Sequence, residues 1–153
     1  MTFHEVAYTT GSDEHDTPVE FFSGIAEAVN GFDLDPCASR SSDLADRNIR
    51  LEGGLSKKWH GKLFINPPYS EVGEWVKYAK HETAHQHAEL VVGLVFARTG
   101  TQWFHRHAVK ADLLCFVEGR LCFGDQDNSA PAPSMVAVWG DYPEKLEKVL
   151  RRK

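Results

Sequence analysis

Lys62-Leu63-Phe64-Ile65-Asn66-Pro67-Pro68-Tyr69 decides how this chain is read: a short apolar run that stops abruptly at an asparagine and two prolines. An apolar run of this length bounded by turn formers fits a buried strand. Pro67 and Pro68 have fixed φ and no N–H, so the turn that ends the strand is stiff and its carbonyls keep their direction. Beyond it, Val72, Trp75, Val76, Ala79 and Thr83 recur at about 100° per residue, predicting a helix from Val72 to His87. The strand Leu90 to Phe96 comes next. Strand, turn, helix and strand in this order build a parallel sheet, whose ligands bind outside the carboxyl ends of the strands.

Working outward gives the same class. Residues Met1 to Asp16 are polar and read as a flexible arm, leaving 17–153 as one domain. Thr17-Pro18-Val19-Glu20 predicts a helix start, with Thr17 as cap, Pro18 in the first turn and Glu20 closing a capping box. That helix turns Phe21, Phe22, Ile25, Ala26 and Val29 inward and ends at Asn30-Gly31. Phe32 to Asp35 is a strand, and Ala38 to Lys58 is long, polar and irregular enough to be a functional loop. Thr101 opens a helix reaching Val109. Leu113 to Phe116, Arg120 to Phe123 and Met135 to Trp139 read as strands, with a proline-rich loop at Ala130 to Pro133. A last helix begins around Asp141 and Glu144 and runs into Arg151-Arg152-Lys153. The expectation is an α/β sandwich about a mainly parallel sheet with late hairpin-like strands.

At 153 residues and 42% hydrophobic, the chain can bury a core of its own. A net charge of −5 argues against strong nonspecific attraction to nucleic acid or anionic membrane, yet leaves room for a local basic face. Lys57, Lys58, Lys62, Arg98, Arg120 and the basic tail are candidates for it, the tail fitting scattered solubilising charge equally well. Three cysteines without metal-type spacing suit a reducing compartment. With no leading apolar segment and no long apolar run, the chain is read as cytoplasmic and without a membrane span.

The turn carries chemistry. An aromatic amine such as adenine N6 is a poor nucleophile because its lone pair is delocalised into the ring. Acceptors set against its hydrogens, the Asn66 side-chain carbonyl and the Pro67 main-chain carbonyl, pull the nitrogen towards tetrahedral geometry and release that pair. Tyr69 offers a flat face for an extruded base. Asp35, at the end of the preceding strand, can accept from the polar groups of a nucleoside cofactor, with Pro36, Cys37, Ala38 and Ser39 small enough to let it lie against backbone. Leu55 and Trp59 either cover an adenine ring or close a lid of ordinary core residues.

These residues resemble the small phage-type DNA N6-adenine methyltransferases, the phage Dam family. The matching pieces are Thr17-Pro18, then Phe32-Asp33-Leu34-Asp35-Pro36-Cys37-Ala38-Ser39, then Leu55 with Trp59 and Gly61, and Phe64-Ile65-Asn66-Pro67-Pro68-Tyr69-Ser70 with Trp75. Further on stand Ala97-Arg98-Thr99 with Trp103-Phe104-His105, Gly119-Arg120-Leu121 with Phe123-Gly124, and Ala132-Pro133-Ser134. Each piece is weak alone; their order from Thr17 to Trp139 is highly specific. The resemblance implies a Rossmann-like fold using S-adenosylmethionine, with no metal and no covalent enzyme intermediate. It places Thr17, Pro18, Asp35 to Ser39, Leu55 and Trp59 about the cofactor, and makes Asn66, Pro67, Pro68 and Tyr69 catalytic. It also implies a phage or prophage setting. The Gly-rich loop usual in methyltransferases is absent after Asp35, and Gly53 stands where an acid is common. Arg98, Thr99, Trp103 and Arg120 are candidates for touching DNA; Trp103 and Phe104 fit helix core better than a wedge, whereas Arg98 fits a functional role better. With no segment that looks like a separate recognition domain, specificity falls to loops, a partner or a homodimer, or else is short and relaxed.

Other readings compete. His81-Glu82-Thr83-Ala84-His85 matches a zinc-protease pattern, but helical phase turns both histidines away from the apolar face and no third ligand is assignable. Pro36-Cys37 matches the nucleophile of cytosine-C5 methyltransferases without its acidic partner, and the zinc-deaminase pair with Arg40 in place of the second cysteine. Cys37 is therefore read as packing, and Cys115 and Cys122 as core. Cytosine N4, an RNA base or a protein glutamine could replace adenine as the planar amine, and a noncatalytic DNA-binding module is the alternative outside enzymes.

Overall fold

The computed structural model describes residues 16–39, 42–122 and 132–153. Six strands form one sheet: β1 (Leu34–Ala38), β2 (Arg47–Arg50), β3 (Gly61–Ile65), β4 (Ala88–Phe96), β5 (Leu113–Phe116) and β6 (Ser134–Gly140), in the order β2-β1-β3-β4-β6-β5. The first four run parallel, and β6 lies antiparallel between β4 and β5. Helices α1 (Val19–Val29) and α4 (Glu144–Leu150) lie against one face, α2 (Val72–Ala84) and α3 (Gln102–Arg106) against the other. This is the expected Rossmann-like methyltransferase layout, with the β5–β6 pair as the late hairpin-like element.

Each face has its own core. Phe22, Phe32 and Phe64 meet with ring centroids 5.0–5.7 Å apart beneath α1, joined by Leu146 and Leu150 of α4. Beneath α2, Trp59 stacks on Trp75 at 6.1 Å and meets the edge of Tyr78 at 4.8 Å, beside Ile65, Val91 and Val95.

The chain departs from several expectations. Thr17 does not cap α1: Pro18 occupies the cap position, no side chain closes it, and the Thr17 hydroxyl is engaged elsewhere. Ala26 is half-buried, while Ala28 is fully inward. β1 runs on past Asp35 through Pro36 to Ala38, with an irregularity against β2 between Asp35 and Ala38. A proline is tolerated there because the recorded pairing of β1 with β3 lies at Leu34↔Leu63, so Pro36 interrupts no ladder on that side. The polar stretch Ala38 to Lys58 holds the edge strand β2 and a 3-10 turn, Leu51–Ser56. α2 stops at Ala84, where Gln86 adopts a left-handed φ of 59°. Thr101 does cap α3, accepting from the Phe104 amide at 3.3 Å, but α3 ends at Arg106 and a separate turn covers Ala108–Lys110. Arg120 to Cys122 form no strand, and Cys122 is exposed. The last helix starts after Pro143 rather than at Asp141. The expected arm lies outside the described residues except for Asp16, as do Arg40, Phe123, Gly124, Ala130 and Pro131.

Candidate active site

Strand order reverses between β1 and β3: the chain leaves β1 towards β2 on one side and β3 towards β4 on the other. Such a reversal opens a crevice at the carboxyl edge of the sheet. Asp35 is the second residue of β1, three before its carboxyl end at Ala38, rather than the strand's last residue as expected, and Asn66 directly follows β3.

Asp35 is 4% exposed, with its Oδ1 accepting from the Cys37 amide at 3.1 Å. Burial pushes its pKa up from 3.8 to about 7, against the opposing pull of the Cys37 amide and the Arg50 charge. Arg50 itself donates to the carbonyls of Ser39 at 2.5 Å and Ser42 at 2.7 Å, so it ties down the loop after β1. Cys37 is buried; desolvation raises its pKa well above the usual thiol value, Asp35 adds to this, and the Asn66 amide opposes it. A thiol so held is protonated at neutral pH and makes a poor nucleophile.

Gly54 explains why this loop is shaped as it is. A Cβ there would sit 1.8 Å from the Pro36 carbonyl oxygen and 2.4 Å from the Trp75 ring, so the Gly53-Gly54-Leu55 turn lies directly on the Asp35-Pro36-Cys37 backbone. Trp59 is 1% exposed and donates its indole N–H to the Gly54 carbonyl at 2.9 Å. Of the two open readings for Trp59, this is the core residue: its rings are shared with Trp75 and Tyr78, and it reaches the crevice through Gly54. Leu55 is half-buried, and lines a separate shallow pocket of about 300 Å³ with Tyr78 and His81.

Asn66 is half-buried between buried neighbours Ile65 and Pro67. Its amide Nδ2 donates to the Thr17 hydroxyl at 3.0 Å, which turns Oδ1 the other way. Ser39 donates to Asp16, so Asp16 and Thr17 bridge the loops after β1 and β3. Thr17, 8% exposed, thus positions Asn66. No periodicity could reveal a contact spanning 49 residues; the motif Thr17-Pro18 was the available signal. Pro68 is buried, and its carbonyl accepts from Glu71 at 3.1 Å, leading the turn into α2. Tyr69 stacks on Phe96 of β4 at 4.0 Å and 26°, fixing the plane of its ring.

The DNA candidates divide. Arg98 lies over Phe96 at 5.6 Å, at the end of β4 beside Tyr69's partner ring. Thr99 is exposed; its carbonyl meets the His105 ring at 2.6 Å, and Thr101 donates to the Arg98 carbonyl at 2.7 Å, making the turn tight. Trp103 is half-buried against Gly73, where a Cβ would come within 3.1 Å of it. Arg120 is exposed beyond β5, on the same edge but two strands from β4.

The zinc-protease pattern has a different use. Glu82 is 1% exposed and gathers His87 Nδ1 at 2.8 Å, the Trp59 amide at 3.2 Å and His81 Nδ1 at 3.2 Å. Among the described residues, no three His, Cys, Asp or Glu side chains are placed to hold a metal ion. No helix among them is long and apolar enough to cross a membrane.

The arrangement is a buried carboxylate and a braced carboxamide on the neighbouring strands β1 and β3, with an aromatic ring close after the carboxamide in sequence. Among curated proteins, no relative matches the chain. The family model for DNA N-6-adenine-methyltransferase (Dam) matches residues 7–150, nearly the whole length and across both halves of the crevice, so the chain belongs to the Dam family of DNA N6-adenine methyltransferases.

Proposed function

We propose that the chain methylates the N6 amino group of an adenine flipped out of DNA, with S-adenosylmethionine bound along the Asp35–Ser39 loop. The single observation that carries this is the anchored amide: one Asn66 Nδ2 hydrogen goes to the Thr17 hydroxyl, which orients Oδ1 as an acceptor. A carboxamide held this way presents its carbonyl oxygen to a hydrogen of the N6 amino group.

The cofactor fits the loop on its own evidence. Asp35 is a buried acid with its pKa raised to about 7, and hydroxyl or ammonium donors of a ligand would stabilise its ionised form. Gly54 packs the neighbouring turn onto the Pro36 carbonyl, which holds the backbone of the Asp35–Ser39 loop in place. S-adenosylmethionine held there would supply an electrophilic methyl for direct displacement by N6, the sulfur keeping the bonding pair and the extra proton leaving to solvent. The protein's part is orientation. Asn66 and the Pro67 carbonyl hold the two N6 hydrogens, and Tyr69, backed by Phe96, stacks on the base. Unstacking the adenine costs a few kcal/mol, recovered in part by that stacking.

The test is incubation with methyl-labelled S-adenosylmethionine and unmethylated DNA, beside RNA and a protein lysate, followed by digestion and nucleoside analysis. N6-methyladenine in DNA is the expected product. Label in cytosine, in RNA or in glutamine, with none in adenine of DNA, would contradict the substrate assignment.

A further inference from the structure

Beside the catalytic turn, between the first half of α2 and α3, runs a groove of about 530 Å³. Tyr69 borders it at one end, and Lys77, Gln102, Trp103, Arg106 and His107 line it further along. Gly73 lets Trp103 sit against α2, so the indole forms a firm wall. Lys77 and Lys80 lie three residues apart on one side of α2, and Arg106 and Lys110 approach from α3 and the turn after it. All four act on His107: burial lowers its pKa first, and Lys80, Lys77, Lys110 and Arg106 lower it further. His107 Nδ1 is buried with no hydrogen-bond partner among the described residues.

In a chain of net charge −5, two cations, Lys77 and Arg106, line this groove, and Lys80 and Lys110 add positive charge around His107 at its edge. None of the ion pairs among the described residues engages them. Glu71 and Glu74 also line the groove, at the first turn of α2 next to Tyr69, so the positive charge increases away from the catalytic turn. That gradient suits a strand whose base enters near Tyr69 and whose phosphates lead outward.

We propose that this groove holds the DNA backbone adjoining the flipped adenine, with Lys77 and Arg106 contacting its phosphate oxygens. The inference rests on the N6-adenine reading and adds to it the path of the methylated strand. Arginine can contact phosphate through two parallel N–H groups, and lysine acts as a point charge.

The experiment is anisotropy titration of a short unmethylated DNA duplex across a salt series, using wild type and Lys77→Gln/Arg106→Gln. Lys145→Gln/Lys148→Gln, on α4 across the sheet, removes the same two charges as a control. Losing two phosphate contacts should weaken binding about tenfold and reduce the slope of log affinity against log salt by about 2. S-adenosylmethionine affinity and the melting midpoint should stay at wild-type values, as both residues are exposed. The single variants should each reduce the slope by about 1. An unchanged slope in the groove variants, or an equal fall in the control, would overturn the proposal. Nucleoside analysis of the wild-type product separates the two claims: no N6-methyladenine with a changed slope leaves a DNA-binding groove and removes the reaction.

Discussion

Asp35 and Glu82 are both buried carboxylates, 4% and 1% exposed, yet the fold treats them in opposite ways. Glu82 lies at the amino edge of the sheet, where α2 turns into β4. Burial pushes its pKa up, but His87, the Trp59 amide and His81 together outweigh that and hold it below its usual value. Asp35 lies at the carboxyl edge with the Cys37 amide as donor, and burial prevails, raising it to about 7. The first is a tie between Trp59 and the end of α2. The second is kept short of partners, as a group awaiting a ligand would be. The catalytic-looking pattern belongs to the structural acid, and a plain Asp-Pro belongs to the proposed cofactor site.

The sharpest way to break this contrast is Glu82→Ala. Removing the carboxylate strands the Trp59 amide and two histidines, and should cost about 3 kcal/mol in urea unfolding. Turnover per folded molecule should be unchanged. A folded variant with no turnover would make the His81–His87 cluster functional after all.

Asp35→Asn should act in reverse. At pH 8 the ligand-free variant should be more stable than wild type by on the order of 1–3 kcal/mol, because a desolvated charge has been removed. Its affinity for S-adenosylmethionine, read by calorimetry, should fall about 10- to 100-fold. Equal stability with full affinity would place the cofactor elsewhere.

The pH dependence follows with opposite signs. Asp35 has a raised pKa, so its contribution is fully present below 3.8 and is lost as pH rises through about 7. Glu82 has a lowered pKa, so its contribution is present above 4.5 and is lost as pH falls through the folded value. The stability gap between Asp35→Asn and wild type should therefore widen from about pH 4 to about 7, by up to about 1.4 kcal/mol per unit, then level off. A flat gap would mean that Asp35 is not the buried acid it is taken to be.

The smallest effect is expected at Thr17. Thr17→Val keeps the shape but removes the hydroxyl that accepts from Asn66, and kcat should fall about tenfold, or about 1.4 kcal/mol, with cofactor affinity intact. An unchanged kcat would show that the proline turn alone sets the Asn66 amide.

How far the sequence could be read depends on where each element gets its stability. The strand Lys62 to Ile65, its proline turn and the apolar face of α2 were legible because burial and backbone restriction are written locally. β2 was not: Arg47-Asn48-Ile49-Arg50 offers a single apolar residue, and this edge strand is held by pairing with Leu34 and Asp35 of β1. Thr17 looked like a helix cap because local rules place it there, and a side chain 49 residues away claims it instead. Glu82 falls in the same class, since its partners come from the segments before β3 and before β4. The crevice was legible as Asp35 and Asn66 at the carboxyl edge; the devices that brace it, Thr17, Asp16, Arg50 and Gly54, are tertiary contacts without a pattern of their own.

The most direct test of the whole account is single-turnover methyl transfer by Asn66→Ala, with S-adenosylmethionine and DNA both saturating. The rate of N6-methyladenine formation should fall by about two to three orders of magnitude, as for loss of a transition-state hydrogen bond, while cofactor affinity stays within about twofold of wild type. A rate close to wild type would contradict the claim that the Asn66 carbonyl activates the amine.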